Sequence, residues 1–110
     1  MKTAEEIEKF IDRTGARLGI DKTCEPVFPK DRSDICVIRR VCEDGKGEDG
    51  FDTIYVVWED KEGNLWQKEI FNSRITKDDI FIKSLKIEKG GLKVELEIEK
   101  TLSVPMAILN

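Results

Sequence analysis

Apolar positions follow a helical period only at the start of this chain and alternate with a period near two through most of the rest. Ile7, Ile11, Thr14 and Leu18 recur at steps of four, three and four, which lays them along one stripe of a helix with Phe10 at its margin. Ahead of them, Thr3-Ala4-Glu5-Glu6 has the form of a capping box, in which hydroxyl and carboxylate each take the other residue's amide. The spacing predicts a helix over residues 4–18, with Gly19 as its left-handed stop and Gly15 as the second choice.

Residues 21–34, DKTCEPVFPKDRSD, hold two prolines and many charges and predict an extended connection anchored by Val27 and Phe28. ICVIRRVC follows, β-branched and apolar on both faces apart from Arg39 and Arg40, which successive strand positions send to opposite sides. It predicts a central strand over 35–43. Residues 43–50, EDGKGEDG, are read as a flexible hairpin loop. Their glycines and acids lack the ordered ligand positions of an EF-hand.

The clearest pattern is Phe51 to Phe71, two apolar-rich runs that predict strands 51–60 and 64–72 around Asp60-Lys61-Glu62-Gly63. A type I turn with Gly63 left-handed sets Trp58 against Trp66, Val56 against Lys68 and Ile54 against Ile70. On the other face it sets Val57 against Gln67, Tyr55 against Glu69 and Thr53 against Phe71. A cross-strand aromatic pair adds up to about 1 kcal/mol, enough to help hold the register.

Thr76-Lys77-Asp78-Asp79 has the residues to cap a single helical turn. Strands 80–89 and 92–101 then form a second hairpin, with Gly90-Gly91 as a two-residue turn that places Ile87 opposite Val94 and Leu85 opposite Leu96. That register fails farther out, which predicts a bulge or bend near Lys83-Ser84. The tail carries Leu102, Val104, Met106, Ile108 and Leu109 around Pro105, an apolar string that must dock on its own domain or on a neighbour.

If Val41 pairs with Thr53, both faces of the three-stranded meander are apolar, and one short helix covers only one of them. The expected fold is α+β over a single domain, 1–110: an N-terminal amphipathic helix packed on a five-stranded antiparallel sheet, meander plus hairpin, curled towards a half-barrel. The same register aligns Arg39, Tyr55 and Glu69 across three strands with Gln67 nearby, a small polar cluster in apolar surroundings.

Composition narrows the function classes. The 110 residues are 39% hydrophobic and 38% charged, against about 25% charged in an average domain, so one core sits under a densely ionic surface. A net charge of −4, with the basic residues dispersed among acids, argues against nucleic acid as partner. Without an apolar run of bilayer length or an apolar leader, no membrane partner is expected and the cytoplasm is the expected location. Three cysteines fit no zinc spacing and there is no histidine, so they read as small buried thiols, and no metal or cofactor is expected.

Lack of histidine also removes the usual general base, and no nucleophile motif or phosphate loop stands in its place. The expectation is a non-catalytic protein-interaction module or subunit, self-associating as a homodimer or joining another protein through an apolar sheet face and the tail. Its interaction residues would be Trp58, Trp66, Val104, Met106, Ile108 and Leu109. The alternative is a small-molecule-binding protein with its pocket around Arg39, Tyr55, Gln67 and Glu69.

Overall fold

A computed structural model of the chain describes residues 2–17, 19–30, 32–43, 50–73, 80–98 and 100–106. Among the described residues, helix α1 spans Ala4–Thr14 and is followed by seven strands: β1 Ile20–Thr23, β2 Ile35–Glu43, β3 Phe51–Glu59, β4 Leu65–Asn72, β5 Ile82–Glu88, β6 Gly91–Leu96 and β7 Lys100–Pro105. They form two antiparallel sheets, one ordered β1-β2-β3-β4 and the other β5-β6-β7. This corrects the expected single five-stranded sheet. Nothing in local periodicity says that β5 leaves the sheet of β4, and the described strands form no closed barrel.

The helix begins as its capping box predicts, with the Thr3 hydroxyl accepting from the Glu6 amide at 3.1 Å and Glu6 reaching back to the Thr3 amide at 3.3 Å. It ends at Thr14 with an extended Gly15, four residues before the predicted end. The Tyr55 hydroxyl accounts for this: it accepts from the Ala16 amide at 2.6 Å and holds the departing chain on the sheet. Ile7 and Ile11 are buried with Cys36, Ile38, Tyr55 and Val57, so α1 covers one face of the four-stranded sheet.

The opposite face is covered from within the chain. Ile35, Val37, Ile54 and Val56 pack against Ile80, Leu92, Val94, Leu96 and Val104, and this inter-sheet layer is the larger core. The protein is therefore three layers deep, helix, sheet and sheet. The residues read as an apolar tail supply β7, the third strand of the outer layer.

The first hairpin keeps its predicted turn. Gly63 stands at φ 84°, its amide bonds to the Asp60 carbonyl at 3.1 Å, and the Asp60 amide bonds to the Asn64 carbonyl at 2.9 Å. Trp58 faces Trp66, Val56 faces Lys68, Val57 faces Gln67 and Tyr55 faces Glu69. Beyond Tyr55 a bulge shifts the register, so Ile54 faces Phe71 and Thr53 faces Asn72.

Two other registers differ from expectation, the β2–β3 pair by one residue and the β5–β6 hairpin by two. Val41 faces Asp52 and Arg40 faces Thr53 in the β2–β3 pair. In the β5–β6 hairpin the turn residues are Lys89 and Gly90, so Glu88 faces Gly91, Ile87 faces Leu92 and Leu85 faces Val94. Lys86 then lies opposite Lys93, a like-charge pair relieved by a diagonal contact of 3.0 Å from Lys93 to Glu88. The irregularity expected near Lys83-Ser84 is present between Ile82 and Ser84.

The connection after β1 also differs. Val27 exchanges two backbone hydrogen bonds with Val37, at 2.8 and 2.9 Å, but its side chain and that of Phe28 are exposed while Pro26 and Pro29 are buried. The acidic loop 44–49 and the residues Thr76-Lys77-Asp78-Asp79, expected to cap a helical turn, lie outside the described residues.

Candidate functional site

The one-residue slip between β2 and β3 dismantles the expected polar cluster. Arg39 faces Ile54 rather than Tyr55 and points towards the second sheet, whereas Tyr55, Gln67 and Glu69 belong to the helix-covered face. Arg39 donates from Nε and Nη2 to Asp52 Oδ2, at 2.8 and 2.6 Å, and its guanidinium lies 4.3 Å from the centroid of the Phe81 ring. Tyr55 is buried with its hydroxyl engaged by Ala16. Gln67 Nε2 donates to the Thr14 carbonyl at 3.4 Å, and Glu69 is exposed. These four residues do not line a common cavity.

The tryptophans divide between core and surface. Trp58 packs against the inter-sheet core, while Trp66 is 53% exposed. Strand order is the reason. Trp58 lies on β3, inside the sheet, and Trp66 lies on β4, at its margin. The Trp66 indole donates to Asp60 Oδ2 at 2.8 Å. That bond, together with the Asn64 and Glu62 amides, holds the Asp60 carboxyl below its usual range. Val104 is buried and Met106 is packed against the core, while Ile108 and Leu109 lie outside the described residues.

The structure instead presents an edge that the sequence reading did not single out. The bond from the Asp60 amide to the Asn64 carbonyl fixes the parity of the β3–β4 ladder. Hydrogen bonds exchange at Trp58–Trp66 and Val56–Lys68, so the backbone groups of Leu65, Gln67 and Glu69 point away from β3. Among the described residues nothing pairs with them. The side chains of these three residues lie on the helix face, where Leu65 and Phe10 of α1 line an open cleft of about 690 Å³. Lys2, Lys9 and Arg13 rim it alongside Glu6 and Asp12. Lys2 and Lys9 form exposed pairs with Glu6 and Glu5, at 3.9 and 3.1 Å, whereas Arg13 has no ion-pair partner among the described residues.

The remaining ionisable groups are structural. Arg40 is 2% exposed and gathers Ile11, Asp12, Thr23 and Asp21 around its guanidinium. Burial pushes the Cys36 thiol up to about 12 and, with the nearby Asp21 charge, the Cys42 thiol up to about 11, so both stay protonated at neutral pH. No group of three or more His, Cys, Asp or Glu among the described residues is placed to hold a metal ion. No helix among them is long and apolar enough to cross a membrane.

Comparison of the chain with protein-family models, curated proteins and solved structures finds no match. The edge itself had a signal in the sequence: β4 reads LWQKEIFN, with a single lysine, no proline and an exposed tryptophan beside the turn. What the sequence lacked was the statement that, among the described residues, no strand follows β4 in its sheet.

Proposed function

We propose that this protein is a non-catalytic interaction module that binds an extended partner segment by strand addition along β4. The observation that carries the reading is the outward row of backbone donors and acceptors at Leu65, Gln67 and Glu69, unpaired among the described residues and flanked by exposed Trp66 and the α1 cleft. A free edge of this kind offers main-chain bonds for affinity and side-chain sites on either face for selectivity. The apolar sheet face once expected to bind is occupied by β5–β7, so the binding surface moves to the margin of the sheet.

The test uses a photo-crosslinking residue placed at position 66, compared with the same residue at position 86 on the outer face of the second sheet. Expected is a discrete crosslinked product from position 66 in cells that is absent from position 86 and is lost when Gln67→Pro removes an outward N–H. Gln67 does not donate to β3, so that change spares the existing ladder. Equal crosslinking from both positions, or a product insensitive to Gln67→Pro, overturns the reading.

A further inference from the structure

Resting on that reading of β4 as a binding edge, we infer that its occupant is a second copy of this chain, paired antiparallel about a two-fold axis at Gln67. The outward groups of β4 belong to residues 65, 67 and 69, so a self-pairing register must join odd-numbered residues to odd-numbered residues. With the axis at Gln67, Leu65 pairs with the second copy's Glu69, Gln67 with the second copy's Gln67, and Glu69 with the second copy's Leu65. Each such pair exchanges two bonds, about six in all. The two four-stranded sheets become one continuous sheet.

Side-chain chemistry selects this register over its neighbours. Directly opposite residues share a face, so the second copy's Glu69 comes down beside Leu65 on the helix side, in the cleft rimmed by Lys9 and Arg13. Arg13 is the cation there without an ion pair among the described residues. On the other face Trp66 meets the second copy's Lys68, an ammonium against an indole that is 53% exposed. Moving the axis to Lys68 sets two ammonium groups opposite each other, which is unfavourable. Moving it to Trp66 carries Glu69 past the strand end to Gly63. The contact is isologous, so every favourable pair occurs twice and the assembly closes at two copies.

β4 also lacks most of the devices that keep edges apart. It has one outward-facing lysine, no proline, and a bulge only at its far end between Ile54 and Tyr55 of the neighbouring strand.

Sedimentation of the intact protein over a wide concentration range tests the inference. Expected is a reversible monomer–dimer equilibrium that Gln67→Pro shifts to monomer while circular dichroism and Tm stay close to the wild type. Glu69→Arg and Arg13→Glu are each expected to weaken the dimer about tenfold, because symmetry counts the contact twice. Combining them is expected to restore affinity to within about threefold of the wild type, a recovery that a fold defect does not produce. A protein that stays monomeric at every concentration, a dimer unaffected by Gln67→Pro, or charge reversals without mutual recovery overturns the self-pairing. A monomer that still crosslinks to another protein from position 66 leaves the strand-addition reading standing and overturns only the identity of the occupant.

Discussion

Arg39 and Arg40 are adjacent in sequence and hold different layers of the protein together. Arg39 leaves β2 towards the second sheet, where Asp52 Oδ2 accepts from it twice and also from the Ile80 amide at 3.0 Å. Arg40 leaves towards the helix, where Nη1 donates to the Ile11 carbonyl at 2.8 Å and Nη2 to Asp21 at 3.1 Å. Successive strand positions face opposite ways, so one dipeptide in the central sheet ties down the helix and β1 on one side and the entry to the outer sheet on the other.

Replacing Arg40 should therefore loosen the helix side alone. In Arg40→Met the stem is kept but the half-buried Asp21 loses its 3.1 Å contact with the Arg40 guanidinium, and breaking a charge pair of this burial costs about 3 kcal/mol. Urea denaturation measures this. Adding Asp21→Asn should recover a substantial part of the loss, since the second change removes the charge that the guanidinium faced. A loss under about 1 kcal/mol in Arg40→Met would mean that the guanidinium does not pin the layers.

On the other side, Asp52→Asn should weaken the junction between the sheets. The carboxylate is nearly buried, and its Oδ2 anchors both Arg39 and the amide of Ile80, a fully buried residue of the inter-sheet core. An amide side chain presents one neutral oxygen and a competing N–H, so a loss of about 2 to 3 kcal/mol is expected. Hydrogen exchange at the Ile80 amide supplies the local readout, with faster exchange than in the wild type. Phe81→Leu, which removes only the ring over Arg39, should cost less, about 0.5 to 1 kcal/mol. Equal losses from the two variants would contradict this assignment.

How much of this was legible in the sequence depended on what fixes each register. The β3–β4 pairing was readable up to Tyr55 because Gly63 and Asp60 define one turn geometry, and the turn defines the partners. The β2–β3 pairing was not, because Val37, Ile38, Val56 and Val57 make both faces apolar, and a slip of one residue then leaves the hydrophobic pattern unpunished. That slip sends Arg39 to the face opposite Tyr55 and takes apart the polar cluster that the expected register assembled. β1 was missed since Ile20–Thr23 is four residues long and carries two charges, held by pairing with β2 rather than by its own pattern. The division into two sheets was hidden for a similar reason. Alternation reports which side of a strand is buried but not which sheet it joins.

The second hairpin makes a prediction from its two glycines, which have different tasks. Gly90 stands at φ 98° with open space around it, so Gly90→Ala meets only backbone strain, about 1 kcal/mol. Gly91 sits in β6 opposite Pro105, and a Cβ there would collide with the Val104 carbonyl of β7. Gly91→Ala must push β7 away from β6 and is expected to cost more, about 2 to 3 kcal/mol. Thermal denaturation of the two variants gives the order. If Gly90→Ala were the worse of the two, β7 would not lie against β6 as described.

The buried thiols predict how stability changes with alkali. Cys36 is raised to about 12 and Cys42 to about 11, in both cases mainly by burial, whereas an unfolded chain ionises its thiols near about 8.5. Between those values the unfolded state carries fewer protons than the native one, so unfolding becomes easier as pH rises. The stabilisation is fully present below about pH 8.5 and is lost progressively as pH climbs towards the native values, at up to about 1.4 kcal/mol per pH unit for each thiol. Urea midpoints from pH 7 to 11 measure the slope. Cys36→Ala should lower stability at pH 7 through the cavity it leaves but flatten the decline above pH 9, and comparison with the wild type removes the contribution of every other titrating group. In the folded protein, a thiol reagent at pH 8 should leave Cys36 and Cys42 largely unmodified and label both on unfolding. Equal alkaline slopes with and without Cys36, or rapid labelling of Cys36 in the native state, would place that thiol outside the helix–sheet core.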